Sequence, residues 1–269
     1  MNPIPSKSYG VLQREAPTTA IDETAEQVLN IGYSVLDAGY TAAELLDLSE
    51  EFDRTHCLYV KTYGESNLRS ADEYYTIRSP LTREKSFLNL ALNENLLSLV
   101  RKLIPGKFIL NQQNGIINPP QEAYNQDAWH RDLPYQHFVS TKPLAINALF
   151  CVDDFTYENG ATFVLPASHK SEAFPSDKFI TNNAIQVEAK AGSFLVLDCM
   201  LFHAGGYNKT KSARRAVNHV FNIPYFKQQI NIPSNIESAD LSDEAKDILG
   251  FNYTEPASVS DYLSKRAGK

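Results

Sequence analysis

Between residues 21 and 103 apolar side chains recur every three or four positions, whereas beyond Lys107 they come in short runs cut by Pro, Gly, Asn and Asp. The first spacing is that of helix faces, and the second that of strands joined by turns. Residues 21–29 read as a helix whose acids Asp22 and Glu23 fall in the first turn, where the helix dipole favours them. Residues 32–36 alternate as a short strand. Thr41, followed three residues later by Glu44, forms a capping box that opens a second helix running to about His56. Residues 59–80 carry little pattern and predict loop with one or two edge strands. Helical spacing returns over 84–91 and 94–103 and stops at Pro105-Gly106. The predicted strands are 108–118, 144–153, 162–165, 185–187, 193–197 and 216–224, and the tail holds two further helices, 242–249 and 258–267.

Many short strands with turn signals imply a sandwich or barrel, and the helical first third is expected to pack on its outside. No internal repeat, low-complexity tract or Gly/Ser-rich linker divides the chain. A single domain is therefore expected, with a helical buttress over about 20–105, a β core over about 107–226 and a C-terminal extension over 227–269. Residues 1 to about 20 read as an extended polar arm without a signal peptide.

Charge and composition narrow the partners. A formal charge of -7 and a pI near 5.4 argue against nucleic acid or an anionic membrane surface, both of which need clustered Lys and Arg. A small molecule is the expected partner. Cys57, Cys151 and Cys199 lie far apart without CxxC spacing, which predicts reduced thiols rather than a disulfide framework or a zinc knuckle. No run of 18 apolar residues exists to span a membrane, so a cytoplasmic location is expected.

The chemistry-bearing residues are few. His130 and Asp132 flank one residue and so point to the same side of an extended segment, and a second imidazole, His203, lies downstream. Two imidazoles and a carboxylate form the facial triad that holds non-haem Fe(II) with coordination positions left open. Arg214, eleven positions after His203, is a candidate fork for an anionic co-substrate's carboxylate, with Arg215 as its rival on the opposite strand face.

Four blocks carry a resemblance that covers about 112–221: Trp129-His130-Arg131-Asp132-Leu133; Glu158-Asn159-Gly160 running to Pro166-Ala167-Ser168-His169-Lys170; Ala191-Gly192-Ser193 running to Asp198; and His203-Ala204-Gly205-Gly206-Tyr207-Asn208 running to Arg214-Arg215. In order and spacing they resemble the phytanoyl-CoA dioxygenase (PhyH) family of Fe(II)- and 2-oxoglutarate-dependent oxygenases, with Ala167 where that family usually has Gly. The resemblance implies a mainly β fold with flanking helices, a double-stranded β-helix of the jelly-roll, cupin-like kind. It implies His130, Asp132 and His203 as iron ligands and Arg214 as the partner of the far carboxylate of 2-oxoglutarate. Gln112 and Asn114, on one face of a strand, and Tyr135, five residues after His130, are further candidates for contact with the co-substrate. For Gln112 and Asn114 a purely structural role in the core is equally open, and Tyr135 also fits as an ordinary wall aromatic.

By the same resemblance, decarboxylation of 2-oxoglutarate to succinate and CO2 is coupled, with O2, to oxidation of an unactivated C–H bond of a small metabolite, ascorbate serving as an optional reductant. Asp132 favours hydroxylation over halogenation, because related halogenases lack this carboxylate. Desaturation, epimerisation and cyclisation use the same ligands. The competing class is a metal-binding cupin-like protein, a redox-neutral isomerase or sensor, which would have no use for an arginine at the base of the pocket. Of the remaining histidines, His137 and His219 read as structural or exposed, His56 as the end of a helix, and His169 as part of a turn shaping the mouth of the site. Substrate choice is expected in the loops 58–78, 136–142 and 170–183 and after Tyr225, with Arg78, Arg131 and Lys170 able to meet an anion.

Overall fold

A computed structural model of the chain describes residue 4 and residues 7–133 and 139–267. The first element is α1 (Ala20–Ile31), capped by Thr19 in a reciprocal box with Asp22 and ended by Gly32 at φ 89°. Strand β1 (Tyr33–Asp37) follows, then α2 (Ala42–Tyr63), whose Thr41–Glu44 capping box is the one predicted. α2 does not stop near His56. No breaker precedes Gly64, and Tyr59 finds a buried place on the helix's inner side. The weakly patterned stretch beyond it holds α3 (Glu65–Ser70) and one edge strand, β2 (Thr76–Arg78). α4 (Lys85–Ala91) and α5 (Glu94–Leu103) close the helical part, α5 capped by Asn93.

The β part comprises β3 (Ile109–Asn118), β4 (Ala145–Cys151), β5 (Phe163–Val164), then α6 (Asp177–Asn183), β6 (Ile185–Gln186), β7 (Ser193–Asp198), β8 (His203–Ala204) and β9 (Arg214–Asn222). α7 (Asp243–Ile248) and α8 (Val259–Ala267) end the described chain. α6 lies where loop was expected, and it buries none of its residues, so no apolar period announces it. β8, two residues long, is equally silent in sequence.

These strands make two antiparallel sheets, one ordered β1-β7-β4-β9-β3-β2 and one ordered β6-β5-β8. This is the jelly roll with flanking helices. Strand alternation gives the large sheet two unlike faces. The outer face, with Ala148, Phe150, Phe194, Val217 and Phe221, packs with Phe52, Phe87 and Leu97 of the helices into the main core. Each fully buried phenyl ring stabilises the fold by roughly 1.5–3 kcal/mol. The approach is close: a Cβ on Gly115 would lie 3.0 Å from both Phe52 and Ile77. The inner face carries Arg214, Ala216, Asn218, Val220 and Asn222 of β9, opposite Cys151, Leu149, Asn147 and Ala145 of β4. Among the described residues no helix is long and apolar enough to cross a membrane.

Candidate metal centre

His130 and His203 meet as an antiparallel bridge in which each backbone N–H donates to the other's carbonyl, at 3.0 and 3.1 Å. Their rings lie 4.3 Å apart, centroid to centroid. Asp132 is held by its backbone N–H, which donates to the Cys199 carbonyl at 3.1 Å. Its Oδ1 lies 4.0 Å from His130 Nε2 and 3.8 Å from His203 Nε2. Residues far apart in sequence thus converge, with one ligand atom from each all within 4.8 Å of one another.

The surroundings orient these atoms. His130 Nδ1 lies 2.8 Å from the Ala128 carbonyl and His203 Nδ1 lies 3.0 Å from the Leu201 carbonyl. A carbonyl only accepts, so each Nδ1 carries the proton and each Nε2 keeps its lone pair for the centre. Burial holds the His203 pKa below the usual imidazole value, against the opposing pull of Asp132, and so favours the neutral form a metal needs. Asn147 Nδ2 donates to Asp132 Oδ2 at 2.8 Å, leaving Oδ1 to face the imidazoles. The Cys199 thiol, wholly buried, is pushed well above its ordinary pKa and stays protonated. It is no thiolate ligand. Arg131, between the two ligands, turns the other way, donating to the Ser168 and Glu172 carbonyls and lying 3.9 Å from the centre of the Phe202 ring.

The same cavity that is lined by the three ligands runs to Arg214, past Leu197, Thr162 and Asn218. Arg214 is 3% exposed; Nη2 donates to the Tyr124 hydroxyl at 3.4 Å, the Phe155 ring lies 4.0 Å from its Cζ, and its buried Nε has no partner among the described residues. Burial lowers its pKa from the ordinary arginine value. Gly205 makes the Tyr124 contact possible, since a Cβ there would overlap the Tyr124 hydroxyl. Arg215, on the other face, is saturated. Its backbone N–H and Nε donate to Asp153 Oδ2, Nη2 donates to Asp153 Oδ1 and Ser49 Oγ, and Nη1 pairs with Asp53 at 2.9 Å.

Other expected positions are distributed differently. Gln112 Nε2 reaches Asn218 Oδ1 at 3.5 Å, so it touches the cavity wall indirectly. Asn114 turns to Gln229 and does not line this cavity. Tyr135 and His137 lie outside the described residues. His169 is not at the mouth: it is 2% exposed, packs against Gly32, and its Nε2 is 3.3 Å from the Leu29 carbonyl behind the turn. His56 sits inside α2 rather than at its end, reaching the Tyr74 carbonyl at 3.0 Å. Of the cations considered for an anionic substrate, Arg131 is buried and Arg78 pairs with Glu73. Ala167 adopts φ 62°, the left-handed conformation that explains a glycine preference at that position. Asn147, Asn218 and Tyr124 were not anticipated. The available signal for the first two was a carboxamide inside an apolar strand, which implies a buried hydrogen-bonding task.

The comparisons with known proteins agree with this geometry. A family model described as phytanoyl-CoA dioxygenase (PhyH) matches residues 30–216. The uncharacterized protein Rv1501 of Mycobacterium tuberculosis is 30% identical over 252 residues, covering 91% of this chain and 92% of that one. Dioxygenase olcK of Penicillium canescens is 30% identical over 247 residues, covering 83% of this chain and 78% of its own length. The crystal structure of the epimerase SnoN in complex with Fe3+, alpha ketoglutarate and nogalamycin RO superimposes with a TM-score of 0.61 at 17% identity, covering 83% of this chain and 92% of that one. The last likeness is one of fold.

Proposed function

We propose, from the premise that this chain belongs to the phytanoyl-CoA dioxygenase (PhyH) family, that it is an Fe(II)- and 2-oxoglutarate-dependent dioxygenase that hydroxylates a C–H bond of a small metabolite. His130, Asp132 and His203 would hold the iron, and Arg214 would hold the far carboxylate of 2-oxoglutarate. The donor set fits: two imidazoles whose Nδ1 sides are tied to carbonyls, leaving Nε2 for the centre, and a carboxylate whose second oxygen is tied off suit ferrous iron. The co-substrate fits as well, because the buried guanidinium that lines the ligands' cavity has an Nε without a partner among the described residues. That orphaned donor is the observation that carries the reading, since a redox-neutral cupin-like protein would have no reason to bury, in the cavity of its metal ligands, a guanidinium with no carboxylate partner among the described residues.

Bound together, the iron, 2-oxoglutarate and dioxygen would supply the oxidising power, with release of succinate and CO2. The chain's own part is orientation. Arg214 fixes the co-substrate at one end, Asn147 restrains Asp132, and Leu197 and Leu149 form an apolar wall that limits water. Asp132 fills the position a halide would need, which favours hydroxylation.

The test is succinate formation by purified protein supplied with Fe(II), ascorbate and 2-oxoglutarate, which is expected to proceed slowly without prime substrate. No succinate from the iron-loaded protein would refute the reading. Hydroxylation is tested by labelled dioxygen, with one labelled oxygen atom expected in the product; an unlabelled product under conditions without solvent exchange would leave the dioxygenase and remove the hydroxylase.

A further inference from the structure

β3 carries one residue too many opposite β9. Leu110 pairs with Phe221 and Gln112 with Val220, which leaves Asn111 in a bulge. A bulge re-aims the side chains around it. Strict alternation would send Asn111 and Gln112 to opposite faces, yet both line one chamber of about 220 Å³. That chamber shares Asp132 with the cavity of Arg214 and otherwise lies farther along β9, at Val220 and Asn222 rather than at Arg214, Ala216 and Asn218. It therefore meets the ligand set from the end opposite Arg214.

Its lining is mixed. Leu133, Val220 and Phe226 are apolar, and Asn111 Nδ2 donates to the Lys227 carbonyl at 2.7 Å, tying the segment after Tyr225 over the chamber. The informative wall residue is Asn222. It is 1% exposed, and its Oδ1 is buried with no hydrogen-bond partner among the described residues. An acceptor shut away from water without a donor destabilises the fold unless something else donates to it. Gln112 is also available, its one bond to Asn218 being long at 3.5 Å.

We propose that this chamber holds the prime substrate, and that the substrate is a small polar metabolite whose O–H or N–H group donates to Asn222 Oδ1, with Gln112 as a second contact. The inference rests on the dioxygenase reading above and narrows its substrate class. An apolar acyl chain would leave Asn222 Oδ1 as unmatched as it already is and gain nothing from it, whereas a donor would satisfy it, and a site built around a hydrogen bond discriminates strongly against a ligand that lacks it. The chamber is also below the roughly 300–1,000 Å³ typical of sites for drug-sized ligands.

Fe(II)-loaded protein with 2-oxoglutarate under anaerobic conditions is expected to show a visible charge-transfer band, and a ligand arriving beside the metal perturbs it. Two probe panels decide the matter: amino acids, amino alcohols, sugars and polyols in one, fatty acids and acyl-coenzyme A thioesters in the other. Saturable perturbation is expected from members of the first panel alone. Asn222→Leu should weaken the best of them about tenfold or more, Gln112→Leu about threefold, and Asn222→Asp, which keeps an acceptor oxygen, less than Asn222→Leu. Perturbation by the second panel, none by the first, or unchanged affinity in Asn222→Leu and Gln112→Leu would overturn the proposal. Failure of the band itself to form in the wild type would instead strike the dioxygenase reading, and this inference with it.

Discussion

The two faces of β9 differ in how completely their buried polar groups are matched. On the outer face Arg215 is surrounded by Asp153, Asp53 and Ser49, and His219 lies between the Ala148 carbonyl and the Gln113 carboxamide. On the inner face Arg214 Nε and Asn222 Oδ1, together with Asn147 Oδ1 of the neighbouring strand, have no partner among the described residues. Unmatched buried polar atoms weaken a fold, so three of them on one face make sense if ligands complete them. The outer face is built for stability and the inner face for occupancy, and substitutions on the two should separate cleanly into different measurements.

The sharpest separation comes at the ligands. His203→Ala removes one of three, and should lower iron-dependent succinate formation by more than about 100-fold, beyond the 10–100-fold typical of losing an outer partner of a metal ligand. Fold stability measured without metal should fall far less than activity, by the one hydrogen bond to the Leu201 carbonyl and the packing of a single buried ring. Retained activity would break the comparison at its centre.

The neighbouring arginines come next. Arg214→Leu should raise the half-saturating 2-oxoglutarate concentration by about 10–100-fold, the equivalent of one or two charge-assisted hydrogen bonds. Its thermal midpoint should hold or rise, since an uncompensated buried charge is removed. Arg215→Ala should do the reverse: about 1–2 kcal/mol of stability lost, because the partly buried Asp153 loses its bidentate cation, with the 2-oxoglutarate requirement unchanged. Swapped outcomes in the two titrations would exchange the roles of the two residues.

Strand periodicity alone could not make that last distinction, and only the resemblance favoured Arg214. Alternation places Arg214 and Arg215 on opposite faces, but which face looks inward depends on where the helices dock. The triad was readable because the ligands are chemically conspicuous and the one-residue gap fixes their common side, and the long strands were readable from their apolar runs. Three features left no such trace. α6 packs nothing against the core, β8 is two residues long, and the bulge at Asn111 shifts the parity of β3 without any glycine to mark it. Asn222 was hidden by the same logic, as a carboxamide at the end of an apolar strand whose missing partner only coordinates reveal.

The smallest expected effect tests the outer face through pH. Burial holds His219 down at about 4 and the equally buried His169 at the same value, against 6.5 for a free imidazole. A depressed pKa means that the unfolded chain binds more protons than the folded one between these limits. The contribution to stability is therefore complete above about pH 6.5 and is lost as the pH falls through 4. Asp198, raised to about 6 by burial, acts with the opposite sign, contributing most at low pH and losing its contribution as the pH rises through 6. His219→Gln keeps a donor for the Ala148 carbonyl and an acceptor for Gln113 but cannot titrate, so it isolates one group. Between pH 6.5 and 5 the wild type should lose roughly 1–2 kcal/mol more than this variant in denaturant unfolding, while both show the same 2-oxoglutarate requirement at pH 7. A change in co-substrate affinity without a change in acid slope would mean that the two faces of β9 are not separable in function.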